Sequence, residues 1–312
     1  MKRILFILLA VVATVASAQI STIKVAEKKE VRTILPYDST KNCLGGDNVF
    51  AYKGQELFVM PNKNSYDYDH FHTIDFDPIN ESEVYKKYGT TKTYQYQTPY
   101  ELLVNKTFVV DSVSLVSKEY LSEKYAFYLT EKENPDVRCI YMYDPYLVSK
   151  FPFTTMAYYN YLLENTKGRS FIIGNKEIHD SDVYTGEEIV TKGDYSEWVV
   201  IDITIEEESC ELVALLNNGK QTTYCDAKAL LKKEGKRRIF SKEEWDSLVA
   251  EYGLTFMEDV MSGTIRVGMA EALIYMSWGN PKKINRNSYG RNQWVYENQY
   301  LYVENGRVTA WN

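Results

Sequence analysis

The sequence predicts an α+β fold: β-rich N-terminal and middle units built as antiparallel meanders, then a C-terminal module of two helices and three antiparallel strands. The chain contains 27 Tyr against 12 Phe, and runs of aromatic and β-branched residues alternate with turn residues, which is typical of strands. Near the C-terminus, apolar residues recur at helical spacing. We predict six segments: 1–18 (signal peptide), 19–48 (mobile lead-in), 49–98 (first β-rich unit), 99–192 (second β-rich unit), 193–235 (third unit, a β-hairpin) and 236–312 (helical and stranded domain).

The first segment has the three parts of a secretion signal. Lys2 and Arg3 precede the apolar run Ile4–Val15, which is too short for a confident membrane span. The run ends in Ala16-Ser17-Ala18, an Ala-x-Ala cleavage site. We therefore expect cleavage after Ala18 and a protein that works in the periplasm or is secreted. No Cys follows the run, so we expect no lipid anchor.

The charge of the chain argues against a nucleic-acid partner. The formal net charge is -7 at pH 7, whereas a nucleic-acid binder needs clustered Lys and Arg. The basic cluster at residues 232–238 is better explained as a solvated helix end or linker than as a phosphate site. We expect the partner to be another envelope or extracellular protein, with a small molecule or a glycan as an alternative ligand.

The β-rich part contains two similar segments. Phe108–Leu115 and Trp198–Ile205 each combine an aromatic residue with a β-branched run, and each is followed by a second apolar stretch, a turn and a third stretch that carries a cysteine. Such runs predict antiparallel meanders that form a diverged repeat. A weaker third copy is Gly54–Met60. The alternative is that these are unrelated strands with ordinary alternation.

Four cysteines, in a compartment where disulfides persist, allow three pairings. The pair we favour is Cys210 with Cys225, because a tight hairpin at Asn218-Gly219 would set Cys225 opposite Leu212. The alternative is that these side chains are buried thiols.

The last segment begins with a helix signature. Ser241 can cap the helix and Glu244, three residues later, completes a capping box, while Phe240 can pack on Trp245. Gly253 then supplies the stop.

A second helix is predicted from Met269 to Ser277. Three strands follow it, over Asn292–Glu297, Gln299–Val303 and Val308–Trp311, the last two joined by an Asn-Gly turn.

This order of elements resembles the SmpA/OmlA (BamE-like) family, which shares the β-lactamase-inhibitor-protein-like fold. The motifs that carry the resemblance are Ile265-x-Val267-Gly268-Met269, Trp278-Gly279-x-Pro281, Trp294-x-Tyr296 and Asn305-Gly306-x-Val308. The resemblance implies a protein-binding module over residues 241–312. Ala270 stands where the family usually has a capping Thr.

Few residues suggest catalysis. His70 and His72 would point to one face of an extended strand, which makes them a weak candidate metal site. The sequence contains no Gly-x-Ser-x-Gly elbow, phosphate loop or dinucleotide fingerprint. We therefore expect no catalytic residues and no cofactor, with a metal-dependent enzyme at the two histidines as the least favoured alternative.

Together these features predict an exported, non-catalytic protein-binding protein, scaffold-like or inhibitor-like, of the bacterial envelope. Exposed aromatic residues dominate interface hot spots, so the candidate interface residues are Trp294, Tyr296, Tyr300 and Tyr302. The alternative is a carbohydrate-binding surface protein that uses its Tyr-rich strands.

Overall fold

The computed structural model describes residues 34–61, 74–76, 103–119, 122–146, 151–191, 193–287 and 290–312. The helices and strands in these ranges belong to one compact unit, Leu35–Asn312. They form three antiparallel sheets with helices packed against them, so the fold is mixed α+β and rich in strands, as predicted. The predicted signal peptide, residues 19–33 of the lead-in, and the candidate ligands His70 and His72 lie outside the described residues.

The first sheet has the strand order β2-β5-β4-β3-β1-β6. Its strands are β1 (Glu56–Val59), β2 (Ile74–Phe76), β3 (Thr107–Glu119), β4 (Ser122–Glu131), β5 (Arg138–Tyr143) and β6 (Phe153–Thr155). A 3-10 helix, Gly46–Tyr52, packs against it. Four tyrosines are buried in this core, so part of the tyrosine excess fills the interior: Tyr52, Tyr125, Tyr141 and Tyr143.

The second sheet has the order β10-β9-β8-β7-β11. Its strands are β7 (Ser170–Gly174), β8 (Tyr195–Glu206), β9 (Glu211–Asn217), β10 (Thr222–Asp226) and β11 (Ile239–Ser241), with a 3-10 helix, Ala227–Leu231, before β11. Helix α1 (Met156–Thr166) contacts β8 of this sheet and also β1 and β6 of the first. Its apolar side chains belong to the core of the second sheet, where Leu162 is buried, and its first turn directly follows β6 of the first sheet.

The C-terminal part contains helices α2 (Lys242–Tyr252), α3 (Leu254–Ser262) and α4 (Glu271–Trp278), followed by a four-stranded sheet in chain order. Its strands are β12 (Lys283–Asn285), β13 (Arg291–Val295), β14 (Tyr300–Glu304) and β15 (Arg307–Trp311). The helices and this sheet share one core with Ile172 of β7 and Phe240 of β11. The C-terminal part is thus packed onto the second sheet.

The prediction of two helices and three strands for this part was incomplete. Gly253 ends α2 with a positive φ of 92°, as expected, but α3 starts at the next residue without a side-chain cap. Strand β12 has only three residues and directly follows the loop after Pro281. Helix α3 has a left-handed stop at Gly263 but no N-terminal side-chain cap. Tertiary packing must therefore stabilise the start of α3 and the short β12.

The start of α2 confirms half of the predicted capping box. The Ser241 hydroxyl accepts a hydrogen bond from the Glu244 amide at 3.2 Å, and Phe240 packs on Trp245 with ring centroids 5.9 Å apart. The Glu244 carboxylate, however, accepts two hydrogen bonds from Arg237, both 2.7 Å long. A charged guanidinium is the stronger donor, which is why the carboxylate turns toward Arg237.

The two predicted copies are β3 and β8, and they occupy equivalent places in their sheets. In the first sheet Leu57 pairs with Phe108 on one side and with Thr155 on the other. In the second sheet Phe171 pairs in the same way with Trp198 and with Ser241. Thr155 and Ser241 are also the N-caps of the helices that follow, α1 and α2.

Further contacts repeat at the same places. The Gly54 amide donates to the Val110 carbonyl at 2.8 Å, and the Gly168 amide donates to the Val200 carbonyl at 2.8 Å. A register shift follows each of these two valines. In both sheets, residues that follow the first strand (β1 or β7) pair with the outer edge of the last meander strand (β5 or β10). Ile74 pairs with Tyr141 of β5, and Ile178 pairs with Cys225 of β10. So many matching registers are evidence for an internal duplication.

One expectation about the repeat was wrong. Gly54–Met60 is not a third copy but contains β1, the first strand of the first unit. The sheets also cross the predicted unit boundaries, because β1 pairs with β3 and β7 pairs with β8. Strands that are close in space come from sequence segments predicted to belong to different units.

The described part of the lead-in is packed rather than mobile. The Asn42 side chain donates to the Phe153 carbonyl at 2.9 Å and accepts from the Thr155 amide at 2.8 Å. It thereby pairs with the edge of β6 as a neighbouring strand would, which protects that edge from other chains. The Tyr37 hydroxyl adds a 2.8 Å hydrogen bond to Thr155.

The predicted disulfide between Cys210 and Cys225 is not formed, and all four cysteines, each within the described residues, are thiols. Cys225 lies opposite Ala214 rather than Leu212. The reason is that the loop between β9 and β10 is two residues longer than a tight turn. The Asn218 side chain accepts hydrogen bonds from the amides of Lys220 and Gln221, which stabilises this wider loop.

Candidate functional site

Strand alternation divides the four predicted interface aromatics between two faces of the third sheet. Trp294 is 2% exposed and packs in the core against Tyr275. Tyr296 is half-buried, and its hydroxyl donates to the Gly279 carbonyl at 2.9 Å. Tyr300 is 42% exposed and Tyr302 is partly exposed, both on the opposite face. Only Tyr300 and Tyr302 are therefore placed to contact a partner across the sheet.

We call this opposite side the outer face and define it by six residues: Asn285, Arg291, Gln293, Val295, Tyr300 and Tyr302. These residues are cross-strand neighbours, since Asn285 pairs with Gln293, Gln293 with Tyr302, and Val295 with Tyr300. The inner face carries Leu301, Val303 and Val308, which are buried beneath the helices. The outer face is thus the side of this sheet that the helices leave open.

A row of side-chain contacts fixes the centre of the outer face. The Asn285 amide donates to the Gln293 side-chain oxygen at 3.0 Å, and the Gln293 amide donates to the Tyr302 hydroxyl at 3.3 Å. The Arg291 guanidinium lies over the Tyr302 ring, 4.7 Å from its centroid, as in a cation–π contact. Side chains held in this way lose less conformational entropy on binding.

The third sheet also differs in charge from the rest of the protein. Residues 282–312 contain five Lys or Arg and two Glu, a net charge of +3, whereas the whole chain has -7. Lys283 and Arg291 on β12 and β13 are exposed, and so is Glu304 on β14. A cationic sheet on an anionic protein favours encounter with acidic surfaces.

An open cleft of about 850 Å³ lies between the end of β7 and the C-terminal helices. Two aromatic residues line it in fixed orientations. The Trp278 indole donates to the Gly263 carbonyl at 2.8 Å, and its ring meets Tyr296 edge-on with centroids 5.2 Å apart. Burial raises the pKa of Tyr296, so the phenol stays neutral. The side chains of Asn280 and Gln299 are polar groups on the same wall.

Within the described residues, no cluster of three or more His, Cys, Asp or Glu is arranged to hold a metal ion. His179 stacks on Tyr224 with centroids 4.6 Å apart. In the part of the chain that the structure covers, no helix is both long and apolar enough to cross a membrane.

Comparison of the chain with protein-family models, with curated proteins and with solved structures finds no match.

Sequence reasoning selected the aromatics of the third sheet but missed the polar half of the outer face. Asn285 lies on β12, whereas Arg291 and Gln293 lie on β13, and only the strand register makes these residues neighbours of one another and of Tyr302. A usable signal was present, because residues two apart on a strand share a face. That rule groups Arg291, Gln293 and Val295.

Proposed function

We propose that this protein is an exported, non-catalytic binding protein that docks another envelope or extracellular protein on the outer face of its third sheet. One observation carries the proposal: Tyr300 and Tyr302 stand on the open side of the sheet, and Tyr302 lies in a row of polar side chains that contact one another. Tyr and Arg are the residues most enriched at interface hot spots, together with Trp.

The composition of the outer face supports a protein partner. It combines two tyrosines with the apolar Val295 and with amide groups that can both donate and accept hydrogen bonds. The positive charge around it favours a partner with acidic groups at the contact. Truncation of a hot-spot tyrosine weakens binding by about 2 kcal/mol or more, roughly 30-fold in Kd.

The test is a crosslinking pull-down from the native envelope with three forms of the tagged protein. We expect the native protein to capture a partner and the double variant Tyr300→Ala/Tyr302→Ala to lose it. Tyr128→Ala is the matched control, because Tyr128 is 37% exposed but lies on β4 of the first sheet. Capture that survives the double variant, or is lost equally in the control, refutes the docking surface.

Export is part of the proposal and rests on the sequence alone. The positive start, the apolar run and the Ala16-Ser17-Ala18 site support cleavage after Ala18. Mass spectrometry of the protein recovered from its native envelope should give a chain that begins at Gln19. A chain that retains Met1 contradicts it.

We further propose that residues 236–312 form a module similar to the SmpA/OmlA (BamE-like) family. The motif residues support this through fold-making roles: Gly279 adopts a positive φ of 81° at the end of α4, and Trp294 fills the core. A crystal structure that superposes poorly on members of that family would contradict it.

Carbohydrate binding is the second candidate, and the cleft supports it. Rings held like those of Trp278 and Tyr296, next to amide side chains, suit a sugar ring and its hydroxyls. A glycan-array signal that Tyr300→Ala/Tyr302→Ala keeps and Trp278→Ala loses would favour this function. If the native protein binds no glycan on the array, the carbohydrate-binding function is refuted. Elemental analysis after metal-free purification tests the least favoured alternative, the metal-dependent enzyme at His70 and His72.

A further inference from the structure

The basic segment at residues 232–238 lines a pocket that the outer face does not involve. The segment connects the 3-10 helix Ala227–Leu231 to β11. Lys232, Lys236, Arg237 and Arg238 line a cavity of about 310 Å³, together with Glu177 from the connection after β7. Four cations and one anion thus surround one small space in a protein whose net charge is -7.

Arg237, one of the residues that line the pocket, carries a buried donor without an acceptor. The residue is 5% exposed. Its two terminal nitrogens donate to the Glu244 carboxylate at 2.7 Å, and one of them also reaches the Ile239 carbonyl. Its Nε–H is buried and has no acceptor among the described residues. Nearly all buried N–H groups in proteins have an acceptor, so this one is an exception among the described residues next to the pocket.

The neighbouring cations are only partly compensated. Arg238 donates to the carbonyls of Met276 and Ser277, the carbonyl end of α4, which accounts for its position. Burial lowers the pKa of Arg238, and the charge of Glu177 only partly opposes this effect. Lys232 donates to the Lys236 carbonyl at 3.0 Å. Within the described residues, no carboxylate lies within ion-pair distance of Lys232, Lys236 or Arg238.

We propose that this pocket binds a tetrahedral oxyanion, phosphate or sulfate, either as the free ion or as the ester group of a larger ligand. The ammonium groups of Lys232 and Lys236 would donate to its oxygens, and the guanidinium groups of Arg237 and Arg238 add positive charge at the same pocket. The cavity is larger than one such ion, which leaves room for the rest of an ester. This binding is independent of the outer face.

Glu177 is the one acid among the residues that line the pocket. Its carboxylate opposes an incoming anion. Removing that charge should therefore strengthen binding, whereas removing a lysine should weaken it. Opposite responses from two walls of one pocket distinguish a bound anion from a general effect of charge on stability.

The experiment is isothermal titration calorimetry of the full-length protein with inorganic phosphate and with sulfate, at ionic strength held constant with sodium chloride. We expect saturable binding that weakens about tenfold in Lys232→Gln and in Lys236→Gln, the loss of one charge-assisted hydrogen bond. Glu177→Gln should tighten it severalfold. Lys220→Gln is the matched control, since Lys220 is an exposed lysine in the loop between β9 and β10, and it should leave the affinity unchanged.

Phenyl phosphate in the same titration separates the two sources of the oxyanion. Tighter binding than inorganic phosphate assigns the pocket to an ester group, and equal or weaker binding assigns it to the ion. The proposal is overturned by heat that does not saturate, by equal binding of acetate, or by an equal loss in Lys220→Gln and Lys236→Gln. Circular dichroism of each variant confirms that it is folded.

Discussion

Replacing Glu244 by Gln tests how much the buried ion pair with Arg237 stabilises the fold. The carboxylate accepts hydrogen bonds from both terminal nitrogens of Arg237, and the arginine side chain is 4% exposed. Glu244→Gln keeps the shape of the side chain but leaves the guanidinium buried without its anion. Breaking an ion pair lowers the free energy of unfolding most when one charge is left buried without its partner.

The size of the effect follows from the exposure of the two partners. Breaking a fully buried pair from one side costs about 3–5 kcal/mol. In this pair the Glu244 side chain is 25% exposed, so water screens part of the interaction. We expect Glu244→Gln to lower the free energy of unfolding by about 2–3 kcal/mol.

The assay is equilibrium unfolding in urea, and Glu243→Gln provides the matched control. Glu243 is the other acid in the first turn of α2 and is exposed. The control alters the helix-dipole interaction in the same way, at a cost of about 0.5 kcal/mol, without touching an ion pair. The double variant Arg237→Met/Glu244→Gln should lose less stability than the sum of its single changes.

The same pair gives a pH dependence with a definite sign. Hydrogen bonds from Arg237 hold the pKa of Glu244 below its usual range. A carboxyl whose pKa is lower in the folded than in the unfolded state stabilises the folded protein. Its full contribution is present above the unfolded-state pKa of about 4.3, and the contribution is lost as the pH falls through the folded-state pKa. The gap in free energy of unfolding between the native protein and Glu244→Gln should therefore shrink below about pH 4. A gap under about 1 kcal/mol at pH 7, or one that widens in acid, refutes the reasoning.

Three other predictions concern the duplicated units. Ser241→Ala removes an N-cap and should lower the free energy of unfolding in urea by about 1 kcal/mol. Thr155→Ala should lower it more, because the Thr155 hydroxyl also forms a 2.8 Å hydrogen bond with Tyr37. Equal losses in the two variants would contradict this. Trp198→Ala should cost about 3–5 kcal/mol, since the ring is fully buried, and a loss of under about 1 kcal/mol would contradict the core assignment. Burial raises the pKa of Cys210 to about 11, so iodoacetamide should modify this thiol slowly at pH 8 in the folded protein and quickly in urea. Mass spectrometry of the modified peptides measures both rates, and fast modification in both states would contradict the prediction.

The elements that the sequence predicted well are those with strong local signals. Ser241 and Gly253 mark the ends of α2 because a cap and a left-handed stop are encoded within a few residues. The β-branched runs after Phe108 and Trp198 predicted strands for the same reason. The element order within both meanders followed from the turn residues between these runs.

The features that escaped prediction depend on register or on distant partners. The loop between β9 and β10 differs from a tight turn by two residues, and that difference moved Cys225 from Leu212 to Ala214. The outer face likewise follows from pairing between β12, β13 and β14. Sequence alternation could say that only one set of aromatics would be exposed, but it could not say which set until the buried side was known.

Helix α1 has a consequence for how the protein unfolds. The chain order makes it the opening helix of the second unit, yet it also packs on β1 and β6 of the first. No linker separates the two units, because Thr155 is both the last residue of β6 and the N-cap of α1. The first two sheets are therefore joined without a flexible connection, and we expect them to melt in one cooperative transition rather than two.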